Sequence, residues 1–152
     1  MVGAGKTMYL DSCVIVKLVS HEPDSAVYHS IVAGHAIVTS ELAVAEVRSA
    51  LLTKERAGRI SRQARLAGWR LFQDKVREQE FVLLPLDRRV IERAGAVIDQ
   101  CHPHVALRTL DAIHVATAEL NGGEQMCSSD QRVCDASEFI GLSLTAPPPK
   151  IK

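Results

Sequence analysis

The chain has 152 residues, long enough for one domain with a real core. At 47% hydrophobic it is not disordered by composition, and at 4% aromatic it lacks the rings for platforms that bind bases by stacking alone. Lys+Arg and Asp+Glu are 18 each, so zero net charge argues against a general nucleic-acid coat and leaves only local attraction.

In chain order, Met1 to Leu10 has no apolar segment long enough for secretion. The run Val14 to Val19 is short and broken by Lys17, so no membrane span is expected. Gly3-Ala4-Gly5-Lys6-Thr7 echoes the end of a P-loop but lacks the earlier glycine and preceding strand that a P-loop needs. Residues 1–7 read as an N-terminal extension of a single domain spanning 1–152. Met8-Tyr9-Leu10 reads as a short buried strand ending at Asp11. Helices are expected over Ser12–Val19 and Asp24–Ala33, then a strand over Ala36–Val38 ended by Thr39-Ser40. Ser40 is placed to cap a helix over Glu41–Ala57, because its hydroxyl can take an orphan amide, and Gly58 to stop it. Ser61–Glu80 reads as its antiparallel partner, Phe81–Leu84 as a third strand closed by Pro85, and Asp87–Gln100 as a helix. Thr109 is expected to cap a helix running to Leu120, ended by Asn121-Gly122-Gly123. Gln125–Ser128 and Leu142–Thr145 read as fourth and fifth strands, and Pro147-Pro148-Pro149 marks 146–152 as a flexible tail.

Strands alternating with helices at these lengths predict an α/β fold, a mainly parallel sheet with helices on both faces. Ligands of such sheets bind at the carboxyl ends of the strands, which points to Asp11 and Asp130. Each has an ordinary reading as a helix cap. Glu46 has Leu42, Ala43, Ser49 and Ala50 three and four residues away, so it lies on or beside a buried stripe. Asp111 sits among His114, Val115 and Ala118, in a first turn where the helix dipole favours a negative charge. Taken singly, all four acids have structural explanations. Taken together they are two strand-end acids and two acids on apolar helix faces, which a parallel sheet can bring to one edge. Carboxylates at about 4 Å repel by ~4 kcal/mol per pair at an effective dielectric of about 20. A divalent cation removes that conflict, and oxygen-only ligands suit magnesium or manganese better than zinc.

Other signals are weaker. Lys54, Arg56, Arg59, Arg62, Arg65 and Arg70 cluster with only Glu55 opposing them; the plain reading is a solvated face, the sharper one a rim for phosphates. Cys13, Cys101, Cys127 and Cys134 form no Cys-x-x-Cys pair, which reads as a cytoplasmic protein with reduced thiols. Cys101-His102-Pro103-His104 has no second ligand cluster to complete a metal site. His114 is expected to make a structural hydrogen bond, and Trp69 to pack between helices.

Four stretches carry a family resemblance: Met8-Tyr9-Leu10-Asp11-Ser12, Thr39 to Val47, Leu107 to Ala116, and Ser128-Ser129-Asp130. They resemble PIN-domain nucleases, above all the VapC toxins of bacterial type II toxin–antitoxin pairs. The resemblance runs from Met8 to about Thr145, and Leu-Arg-Thr-Leu-Asp-Ala-Ile-His is its most specific part. It implies a three-layer α/β/α sandwich around four or five strands, and a magnesium- or manganese-dependent endoribonuclease that hydrolyses RNA with a metal-activated water. On that resemblance Asp11, Glu46, Asp111 and Asp130 form the acidic quartet. Asp11 and Asp111 are its principal metal ligands, and Ser12 and Ser128 are supporting hydroxyls. Ser128 departs from the Thr more usual there. A homodimer and a cognate VapB-like antitoxin are implied as well. Arg56, Arg59 and Arg62 are the candidate RNA contacts. Aspartyl phosphatases are disfavoured because Cys13 stands where their second Asp is needed, and phosphorylatable receiver domains because no Lys accompanies Ser128-Ser129-Asp130. A non-catalytic binding module with a vestigial metal site is the remaining alternative.

Overall fold

The computed structural model describes residues 5–122 and 125–145. Gly3 and Ala4 of the P-loop-like run, Gly123 and the Pro-rich tail lie outside the described residues.

The first strand, β1 (Thr7–Leu10), begins one residue earlier than expected, because Thr7 pairs with Ala36. It leads into α1 (Ser12–Val19) and α2 (Ser25–Val32), then β2 (Ala36–Ser40). Next come α3 (Ala43–Arg56), α4 (Arg62–Arg77) and β3 (Phe81–Leu84). The second half is α5 (Arg88–Cys101), α6 (Thr109–Asn121), β4 (Gln125–Cys127), α7 (Gln131–Phe139) and β5 (Leu144–Thr145). Asp130 does cap a helix, α7, which the expected elements did not include.

Two expected caps differ. Helix α3 starts at Ala43, because Ser40 is still in β2 and Glu41 is tied to the neighbouring strand's end. The Glu41 amide donates to the Leu84 carbonyl at 2.9 Å, and its carboxylate accepts the Leu86 amide at 3.1 Å. The Ser40 hydroxyl still takes an amide, that of Leu42 at 3.0 Å, but one turn outside the helix. Thr109 is the first helical residue of α6, and the cap is Arg108 with no capping side chain. That frees the Arg108 side chain for other partners. Gly58 does end the α3 hairpin, at φ +72, a backbone state that a Cβ disfavours.

All five strands are parallel, in the order β3-β2-β1-β4-β5. Side chains alternate across the sheet, so Met8 and Leu10 join one core and Tyr9 the other. The first core packs α1 to α4 under the sheet through Val14, Val47, Leu51 and Phe72. The second packs α5, α6 and α7 over it through Val97, Val115 and Val133, and α5 and α6 add their own seam around Ala94 and Ala116. This is the three-layer sandwich expected. The chain runs outward from β1 to β2 and β3, then returns to place β4 on the other side of β1. The strand order therefore reverses between β1 and β4, which is where ligands of such sheets bind. Asp11 follows β1 and Ser128 follows β4 directly at that point.

Candidate active site

Asp11 ends β1 and caps α1, which fixes its carboxylate at the switch point. It is 4% exposed. Its Oδ1 accepts the Cys13 thiol at 2.7 Å and the Val14 amide at 3.2 Å, and its Oδ2 accepts the Ser128 hydroxyl. Burial pushes its pKa up, only partly opposed by His114 and these donors. The site thus holds a carboxylate in a place that disfavours its charge, a state that a nearby cation would relieve.

Ser128 is fully buried and joins two of the four acids. Its hydroxyl donates to Asp11 and accepts the Asp130 amide at 2.9 Å. Asp130 in turn caps α7, accepting the amides of Arg132 at 2.8 Å and Val133 at 3.3 Å.

Glu46 lies in the first turn of α3 with its side chain 26% exposed. Its Oε1 accepts the Ser12 hydroxyl at 2.8 Å and sits 2.5 Å from His114 Nε2. His114 Nδ1 is 2.7 Å from the Tyr9 hydroxyl on β1. Burial, followed by the charge of Asp11, raises the Tyr9 pKa well above normal, so the phenol keeps its proton and can donate. The Tyr9 hydroxyl can donate to Nδ1 and Nε2–H to Glu46, which satisfies both ring nitrogens. Burial pushes the Glu46 pKa up, but His114 and Ser12 outweigh it and hold it below normal. His114 therefore makes the structural hydrogen bond expected, and its role is to orient Glu46.

Asp111 lies in the first turn of α6. Its Oδ2 accepts Arg108 Nε at 3.0 Å, and Arg108 Nη2 reaches Asp130 Oδ2 at 3.5 Å. One guanidinium thus bridges two acids on different helices. Glu46, Arg108 and Asp111 line the same pocket.

Ser128 thus joins Asp11 to Asp130 and Arg108 joins Asp130 to Asp111, whereas Glu46 is held by Ser12 and His114. Among the described residues, no three His, Cys, Asp or Glu side chains stand as a group able to hold a metal ion. Protein donors hold the carboxylates instead. The donor chemistry, all oxygen and mostly anionic, fits a hard divalent cation. Of the candidate RNA contacts, Arg59 lines a cavity beside this site, whereas Arg56 turns back to Thr53 at 3.0 Å. Arg62 opens α4 at the far side of the hairpin. Tyr9, Cys13 and Arg108 were missed. Only Arg108 carried a signal, being three residues before Asp111 at a helix start.

Comparison with known proteins accords with this geometry. The PIN domain family model matches residues 8–138. Ribonuclease VapC46 of Mycobacterium tuberculosis is 39% identical over 143 residues, covering 92% of this chain and 97% of that one. Among solved structures, Mycobacterium tuberculosis VapC20, described as a sarcin-ricin loop cleaving toxin, superposes with a TM-score of 0.66 at 15% identity, over 90% of this chain and 96% of that one. VapBC2 of Rickettsia felis, bound to a DNA fragment from its promoter, gives 0.66 at 10% identity, over 92% and 98%. A family match across nearly the whole folded region, joined to a relative aligned almost end to end, shows that the chain belongs to the PIN-domain family.

Proposed function

We propose that this protein is a magnesium- or manganese-dependent endoribonuclease toxin of a toxin–antitoxin pair. The observation that carries the reading is the linked set Asp11, Glu46, Asp111 and Asp130, gathered from four elements at the β1–β4 switch point. Kinship with a protein named as a ribonuclease, and likeness in fold to one described as cleaving the sarcin-ricin loop, support it.

Asp11 and Asp111 would be the principal metal ligands, with Glu46 and Asp130 completing the set directly or through water. A bound divalent cation would supply charge to a phosphate oxygen and lower the pKa of a water molecule. The chain's own groups do the rest. Ser128 sets the rotation of Asp11 and ties it to Asp130. Ser12 and His114 hold Glu46 in its ionised form. Arg108, paired with Asp111 and Asp130, places a guanidinium at the site that could hold a phosphate oxygen. The products expected are a 5′-phosphate and a 3′-hydroxyl.

A VapB-like antitoxin is the expected partner, as the VapBC2 complex suggests, and a homodimer the expected assembly. The cytoplasm is the expected compartment. Four free cysteines support it, and no helix among the described residues is long and apolar enough to cross a membrane.

The test is RNA cleavage by wild type, Asp11→Ala and Asp111→Asn, purified in parallel, with magnesium, manganese or EDTA. Cleavage by wild type alone, lost in EDTA, is expected. Equal cleavage by all three proteins overturns the mechanism.

A further inference from the structure

A second cavity opens off the acidic site. Its volume is about 590 Å³, enough for a single nucleotide. Its near wall is Cys13 and Ser129, the residues beside the acidic site. The Cys13 thiol is 2.7 Å from Asp11 Oδ1, and the Ser129 hydroxyl donates to Cys13 Sγ at 2.9 Å. The cavity is therefore one hydrogen bond away from the proposed cleavage centre.

Its floor is apolar, formed by Val16 of α1, Ala50 of α3 and Ile60 of the α3–α4 turn. Its rim is cationic. Lys54 sits over Ser20 at 2.8 Å and Glu22 at 3.4 Å, and Lys17 pairs with Glu22 at 3.1 Å and Asp24 at 2.8 Å. Both lysine side chains are only 12% exposed, so they are fixed in place. Arg59 lines the same rim, is exposed, and forms no ion pair among the described residues. Glu22 is the one acid in the lining, against two lysines and an arginine. The chain's net charge is zero, so this local excess is not a reflection of overall basicity.

We propose that this cavity is a nucleotide subsite, holding the RNA residue next to the cleaved bond with its base on the apolar floor and its phosphate at Arg59. The inference rests on the acidic site being where RNA is cut. Single-stranded RNA is recognised through splayed-out bases whose edges meet polar groups, and Thr53, His21 and Ser129 offer such groups here. The floor is aliphatic, so the base is sandwiched rather than stacked on an aromatic ring, which demands shape fit and gives selectivity among bases. Charge favours a nucleotide over an apolar peptide side chain as occupant.

The experiment is an amide-resolved NMR titration of the full chain with each of the four ribonucleoside monophosphates, and with inorganic phosphate as a control. Saturable shifts at Val16, Ala50, Ile60 and Ser129, larger for one nucleotide than the others, are expected. Phosphate alone should move the Arg59 turn and leave the floor unmoved. Arg59→Glu should abolish the nucleotide shifts, and Arg59→Lys should retain most of them. For a short RNA oligonucleotide, Arg59→Ala should lower the salt dependence of binding by about one unit of log–log slope. The titrations are run in EDTA, where the proposed cleavage is off, so they read binding independently of catalysis. Binding in the cavity without metal-dependent cleavage therefore counts against the enzyme reading alone. A floor that no nucleotide moves, shifts equal in Arg59→Glu, or a floor moved by acidic peptide and not by nucleotide would overturn the subsite.

Discussion

Replacing Tyr9 with Phe probes the Tyr9–His114–Glu46 chain with the smallest possible change. Tyr9 is fully buried, and its hydroxyl lies 2.7 Å from His114 Nδ1. His114 is itself 3% exposed, so no water replaces the lost donor. Leaving a buried acceptor unpaired costs about 1–3 kcal/mol. For a chain of this size that lowers Tm by ~3–10 °C. The second consequence is specific to the arrangement. Without the phenol the ring is free to place its proton on Nδ1, and Nε2 no longer has to donate to Glu46. Urea denaturation followed by circular dichroism measures the first effect, and the ring nitrogen shifts of His114 the second. A double-mutant cycle with His114→Leu separates them from simple cavity effects. With leucine at 114 the Tyr9 hydroxyl keeps only Thr117 and Thr39 as partners, so Tyr9→Phe should then cost less, a coupling of about 0.5–3 kcal/mol. Equal destabilisation by Tyr9→Phe in both backgrounds would refute the relay.

Three further outcomes follow from the site. Asp11→Asn should raise the stability of the metal-free protein at neutral pH while removing activity, by about 0.5–2 kcal/mol if it behaves like other relieved functional sites. Burial raises the Asp11 pKa in the fold, so its protonated form is the one that favours folding. That contribution is complete below the unfolded value and is lost as pH rises through the folded one, so melts of the two proteins in EDTA should converge in acid and separate on the way to neutrality. Arg108→Ala should tighten manganese binding, read by titration calorimetry, because it removes the cation that occupies Asp111 and Asp130; weaker binding would show that Arg108 organises the site instead. Burial, then the charge of Asp11, pushes the Cys127 thiol up to about 12 and Cys134 up to about 11, so a thiol-reactive disulfide should label neither in the native protein at mildly alkaline pH, and all four cysteines only in denaturant.

Much of this architecture was readable because its signals are local. Strand β1 shows as Met8-Tyr9-Leu10 and β3 as Phe81 to Leu84, and the acids that end strands follow from the parallel topology alone. Glu46 and Asp111 were legible because an acid among apolar neighbours on a helix face stands out against its surroundings. The start of α3 was misread because Ser40 is a good cap by type, whereas the cross-strand bonds of Glu41 decide where the helix begins. Helix α7 was not assigned, because Gln131 to Phe139 is only 9 residues long and few of its residues are buried: Val133, Ala136 and Ser137. The Tyr9–His114 contact spans 105 residues of sequence, and no periodicity carries information over that distance.

The same long-range contacts explain how a cluster of anions is tolerated in a folded protein. Each acid is compensated by a different local device. Asp11 has a thiol, an amide and a hydroxyl; Glu46 has a serine and a histidine; Asp111 and Asp130 share an arginine; and Asp130 also has the start of α7. None of these is a second metal-like centre, and the thiol, hydroxyl and amide donors on Asp11 and the amides on Asp130 are neutral. The arrangement therefore satisfies hydrogen bonds without cancelling the charge, and the electrostatic potential of the cluster persists. A site meant only for stability would neutralise its acids with buried cations or replace them with apolar side chains. Keeping them ionisable, oriented and only lightly countered by one exposed arginine leaves an anionic cluster at the switch point, consistent with the cation-dependent cleavage proposed.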